Sequence, residues 1–99
     1  MAEREILALC QDMTITRDAF LRSLPAAVDN VAFGSGDGEI RSRDSGHRWR
    51  IVLTELPDLS IGLIRLARQR VEIYLTGYDE GRTRGFLDRF ELYFRRAGG

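Results

Sequence analysis

The chain has 99 residues, fifteen basic and fifteen acidic, so its formal charge is zero and no global field draws it to nucleic acid or an anionic membrane. Its 43% hydrophobic and 30% charged residues are the balance of one ordinary globular domain, and no apolar run is long enough to span a bilayer. A single cysteine, Cys10, excludes an internal disulfide, and a single histidine, His47, leaves no four-ligand set for structural zinc.

Every basic residue is arginine. The absence of lysine removes Schiff-base chemistry and the lysine of a P-loop, whereas guanidinium groups suit bidentate contact with carboxylates and phosphates.

Residues 1–12, MAEREILALCQD, mix acids with an apolar run too short for a secretory signal, and the cytoplasm is the expected compartment. They are expected to add a helical turn through Ile6, Leu7 and Leu9 or to form a mobile extension, leaving residues 13–99 as the single domain. The next stretch predicts a helix with Thr16 as N-cap, Asp18 in the first turn, and Phe20, Leu21, Leu24 and Val28 on one stripe. Pro25 is expected to break or kink it. A short edge strand around Val31 to Phe33 then turns through GSGDG, whose following strand excludes a phosphate loop.

Residues 39–76 are rich in β-branched side chains and contain three turn signals, D-S-G-H at 44–47, P-D at 57–58 and R-Q at 68–69. These turns predict a four-stranded antiparallel meander that pairs Ile40 with Ile51, Ile51 with Ile64, and Ile64 with Ile73. The adjacent rows on that face are Ser42, Trp49, Leu66, Val71 and Gly38, Leu53, Gly62, Leu75. A terminal helix follows, with Phe86, Leu87, Phe90, Tyr93 and Phe94 at helical spacing and Arg95 and Arg96 in its last turn. The expected fold is a two-layer α+β sandwich of order α-β-β-β-β-α, both helices covering the isoleucine face.

The opposite face then gathers Arg41, Arg43, Arg48, Arg50, Arg65 and Arg70, with Tyr74 as a stacking surface, beside an apolar middle of Val52, Ile61, Leu63 and Tyr74. Like charges directly opposite in a sheet repel, so the cluster needs screening, an internal acid or an external anion. Glu39 and Glu72 are the acids this pairing brings near. One aromatic is too few for single-stranded nucleic acid. An exposed patch of valine, isoleucine, leucine and tyrosine is unusual for a monomer, and coverage by a second copy or by residues 1–12 hides it.

His47 shares its turn with Asp44 and Ser45, but three residues of one tight turn cannot also supply an oxyanion hole, so no catalytic site is expected there. Cys10 reads as a buried structural thiol. The chain is therefore expected to be a non-enzymatic binding or assembly module, a homodimer first, whose arginine-rich face engages an anionic or protein partner. No cofactor, metal or membrane is expected. The alternative is a protein or enzyme that takes a small anionic ligand between sheet and helices. A third reading rests on the terminal Gly98-Gly99, which resembles the tails of ubiquitin-like sulfur carriers. That resemblance implies adenylation of the tail, but the predicted element order is not β-grasp and the glycines also serve as a helix stop.

Overall fold

A computed structural model describes residues 4–43 and 46–98. Its elements are β1 (Glu5–Met13), α1 (Arg17–Ala27), β2 (Phe33–Gly36), β3 (Glu39–Ser42), β4 (Arg48–Ile61), β5 (Ile64–Thr76) and α2 (Glu80–Gly98). They form a two-layer α+β sandwich. The five strands make one antiparallel sheet in the order β1-β5-β4-β3-β2, and both helices cover the same face. None of the described helices is long and apolar enough to cross a membrane.

Helix α1 begins where expected, the Thr16 hydroxyl accepting from the Ala19 amide at 3.0 Å. Pro25 does not end it; the helix runs on to Ala27 and closes through Asp29 and Asn30, both at positive φ. Helix α2 opens on Asp79, whose carboxylate accepts from the Arg82 amide at 2.7 Å. The two helices meet through Phe20, which stacks on Phe94 at 4.6 Å and tilts against Phe90 at 6.1 Å. Phe86 carries the contact on to Trp49 of the sheet. Beneath them Ile40, Ile51 and Ile73 form one fully buried row, flanked by Trp49 opposite Leu75 and Leu53 opposite Val71. Burying each of these large apolar side chains contributes about 1.5–3 kcal/mol, which makes this layer the main source of stability.

The order α-β-β-β-β-α holds for the chain after β1, but four expectations are corrected. Residues 5–13 are neither a helical turn nor a mobile extension. They form edge strand β1, paired with β5 from Glu5 opposite Thr76 to Met13 opposite Gln69, and Cys10 there is exposed rather than buried. Pro57-Asp58 is not a turn. It is a bulge within β4, two residues set against Ala67 between the Leu56–Arg68 and Leu59–Leu66 pairs. Arg68-Gln69 is continuous strand. The reversal lies at Gly62-Leu63, with Gly62 at φ +59°, the Gly-X pattern of a type II′ turn. Four predicted strands are thus β3 and two long strands, and Ile73 pairs with Ile51 directly while Ile64 lies far from that row.

The short edge strand expected around Val31 to Phe33 forms later, as β2 at Phe33–Gly36, so the first glycines of GSGDG are strand and only Asp37-Gly38 turns into β3, both at positive φ as a type I′ turn requires. The first hairpin keeps its predicted register, Arg41 facing Arg50 and Ile40 facing Ile51. Of its D-S-G-H turn, Asp44 and Ser45 lie outside the described residues, as does Gly99 of the terminal diglycine.

Candidate functional site

The uncovered face of the sheet has two parts. Over the body of the domain, Arg50 is the centre. It donates from Nε and Nη2 to the two carboxylate oxygens of Glu5 at 3.1 and 2.9 Å, and from Nη1 to Glu39 Oε1 at 2.6 Å. Arg41 shares Glu39 at 3.4 Å. The guanidinium of Arg50 also lies over the Tyr74 ring, 4.3 Å from its centroid, and the Tyr74 hydroxyl donates to Glu72 at 2.8 Å. Further along, Asp12 accepts from Arg70 at 3.0 Å and from Arg68 at 3.5 Å.

These contacts set the ionisation of the face. Hydrogen bonding to Arg50 holds the carboxyls of Glu5 and Glu39 below the usual carboxylate range, and the two carboxylates raise the Arg50 pKa in return. The hydrogen bond to Asp12 raises Arg70, and the one to Glu72 makes the Tyr74 phenol hold its proton more tightly. The repulsion expected from Arg41 opposite Arg50 is therefore met from inside the chain, by Glu5 of β1 as well as by Glu39, while Asp12 of β1 pairs with Arg68 and Arg70 further along. Sequence reasoning missed both β1 acids because it gave that segment no place in the sheet.

The six arginines do not form one cluster. Arg41 and Arg50 are adjacent, Arg48 is one step along β4, Arg43 lies against Gly34, and Arg70 stands beyond Glu72. Arg65 is about nine residues of strand from Tyr74, roughly 30 Å at strand rise. The apolar middle divides the same way, Val52 and Tyr74 on the body, Ile61 and Leu63 at the far end of β4 and its turn.

That far end is the second part. Strand β3 pairs with β4 only from Arg50 to Val52, and β1 follows β5 only to Gln69. Residues 56–68 therefore have no third strand on either side and project as a two-stranded arm, which gives the molecule extents of 53 × 25 × 21 Å. By the strand pleat, Leu59 and Ile61 face Leu66 and Ile64 across one surface of this arm, continuous with Leu56, while Ser60, Arg65 and Ala67 occupy the other. Ile61 and Ile64 are 58% and 59% exposed, and Leu63 at the tip is fully so. Leu56, Leu59, Ile64 and Leu66 were absent from the predicted patch. Gly62 was the signal that could have found them, since a turn there aligns these four with Ile61.

Between sheet and helices, where the ligand-binding alternative needs a pocket, there is a recess of about 310 Å³ lined by Trp49, His47, Tyr78 and Phe86. Its two cations are engaged, Arg82 with Asp79 at 3.8 Å and Arg89 with Asp29 at 3.4 Å. Among the described residues no group of three or more histidine, cysteine, aspartate or glutamate side chains is placed to hold a metal ion. No family model, curated protein or solved structure matches this chain.

Proposed function

We propose that the chain is a non-enzymatic assembly module that pairs with a second copy of itself through the β4–β5 arm. The observation that carries this reading is the one-sided apolar surface of the arm, Leu56, Leu59, Ile61, Ile64 and Leu66 with Leu63 at the tip. A two-stranded hairpin standing alone in water is marginal at best, so an arm of this length calls for cover. Contiguous exposed apolar surface on a soluble domain marks an interaction site.

The arginine-rich body face supports self-association more than capture of an anion. Its central guanidinium already has two carboxylate partners, and a face whose charges are matched internally can be covered without leaving them unpaired.

The test is mass in solution. Light scattering across low to high micromolar concentration is expected to show a dimer, and Leu63→Glu combined with Ile61→Asp to give a monomer with unchanged circular dichroism. A wild-type chain that stays monomeric at the highest concentration would remove the reading.

A further inference from the structure

We infer that in the dimer the arm of each copy lies in the groove between β1 and α2 of the other, a reciprocal exchange of arms about a two-fold axis. The inference rests on the proposed arm-mediated pairing and assigns the surface that receives it.

The groove exists because the sheet is wider than its helical cover. Helix α2 packs chiefly on α1 and leaves the inner side of β1 open, as a trough of about 590 Å³ along Leu9, Gln11, Met13 and Thr14 on one side and Leu87 on the other, with the buried Phe90 and Phe94 beneath. A second recess of about 550 Å³ continues it toward the start of β1, sharing Leu87 and Asp88 and adding Ile6, itself 57% exposed. The incompletely covered Ile6, Leu9, Met13 and Leu87 of this trough and the apolar side of the arm are each half of a buried contact.

Three features favour the arm of a second copy as occupant. The first is length: the arm from Leu56 to its turn and the trough along β1 from Met13 to Ile6 both span about 20–25 Å at strand rise. The second is position. The trough opens at Met13, which pairs with Gln69 at the root of the chain's own arm. A two-fold axis near the two roots lays each arm antiparallel along the partner's β1, so both contacts form at once.

The third is charge and area together. Between Leu59 and Ala67 the arm carries one charged residue, Arg65, on the surface opposite its apolar pairs. Of the acids on the rim of the trough, Asp12 is held by Arg68 and Arg70 and Glu91 by Arg95, which leaves Asp88 as the carboxylate with no ion-pair partner among the described residues. Arms meeting only face to face cover roughly 200–300 Å² per copy, far below the about 800 Å² per partner of a stable interface. Exchange buries an arm and a groove on every chain and roughly doubles or triples that area.

Two measurements test the exchange. In sedimentation equilibrium, Arg65→Glu and Asp88→Arg are each expected to raise the dimer Kd about threefold to tenfold, and the double variant to return it to within about twofold of wild type. An unchanged Kd for Asp88→Arg overturns the groove assignment. In a Cys10→Ser background, chains carrying Ile61→Cys are mixed with chains carrying Leu87→Cys and treated with a short thiol cross-linker. A mixed Ile61→Cys/Leu87→Cys product supports exchange. Linkage only between two Ile61→Cys chains in an intact dimer overturns exchange while leaving self-association standing, and a monomeric wild type removes both.

Discussion

Strands β4 and β5 pass through two environments, and the same residue types behave oppositely in them. In the body, Trp49, Ile51, Leu53, Val71, Ile73 and Leu75 are all buried at 6% exposure or less. In the arm, Ile61 and Ile64 of the same two strands, with Leu63 in the turn between them, stand mostly in water. Each half alternates apolar residues in the same way, although on β5 the set passes from Val71, Ile73 and Leu75 on the covered face to Ile64 and Leu66 on the other. The difference is in the neighbours: helices α1 and α2 lie over the first half and β1 and β3 flank it, whereas the second half has neither. A strand's apolar pattern thus specifies that a face is to be covered, and the rest of the chain decides whether the cover is internal.

The sharpest way to break this contrast is to remove one large side chain from each half of the argument. Phe20 is fully buried and links α1 to both Phe90 and Phe94, so Phe20→Ala is expected to cost about 3–5 kcal/mol through lost transfer energy and the cavity left behind. Ile61→Ala, under dilute conditions, is expected to change stability by less than about 0.5 kcal/mol, because the removed atoms were already in water. Urea midpoints at constant m-value measure both. A loss in Ile61→Ala near that of Phe20→Ala in a monomer would mean that the arm folds back on the body.

A smaller effect is expected at Gly38, in the β2–β3 turn. Its φ of +80° suits glycine, and an added Cβ would sit 3.2 Å from the Leu53 carbonyl oxygen, beside the Leu53 N–H to Gly38 C=O bond at 2.8 Å. Gly38→Ala is expected to lower global stability by roughly 1–2 kcal/mol, the cost of a left-handed conformation for a residue with a side chain.

The charge network supplies a pH signature confined to the body. Glu5 and Glu39 titrate lower in the folded chain than in the unfolded one, chiefly through hydrogen bonds from Arg50. Their contribution is therefore fully present above the ordinary carboxylate range, at about pH 5 and higher, and is lost as pH falls through the folded values. Arg50→Met removes both ion pairs together with the guanidinium's contact over the Tyr74 ring. It is expected to cost about 1 kcal/mol at neutral pH, limited because the cluster borders solvent, and to flatten the acid side of the stability profile. A variant whose stability falls between pH 6 and pH 3 as steeply as wild type would show that Arg50 does not set those carboxyls.

Much of this organisation is legible in the residues themselves. Thr16 three residues before the Ala19 amide marks the start of α1, the aromatic spacing from Phe86 to Phe94 gives α2, and the alternation around Ile40 and Ile51 fixes the first hairpin. Pro57-Asp58 misleads for a physical reason. Proline is the stronger turn former in isolation, but β4 has no outer neighbour there, so the missing amide costs no ladder bond and a bulge absorbs it. Gly62-Leu63 is a weaker signal for the true turn. Strand β1 escapes because the Leu7–Leu9 bulge breaks its alternation, which hides Glu5 and Asp12 and with them the partners of the arginines.

The smallest expected effect separates the two turns and, with them, the two halves of the sheet. Gly62 resembles Gly38 in having positive φ, yet nothing lies within 4 Å of where its Cβ would be. Gly62→Ala therefore meets the conformational penalty of about 1 kcal/mol without any steric one, and that penalty falls on a hairpin whose order is independent of the core. Body unfolding is expected to move by less than about 0.5 kcal/mol, while hydrogen exchange quickens across residues 56–68. In the proposed dimer, which requires an ordered arm, the same penalty is expected to weaken association by up to roughly fivefold. If Gly62→Ala destabilised the whole domain as much as Gly38→Ala, arm and body would be one cooperative unit. The arm's exposed leucines and isoleucines would then answer to the chain's own core rather than to a second copy.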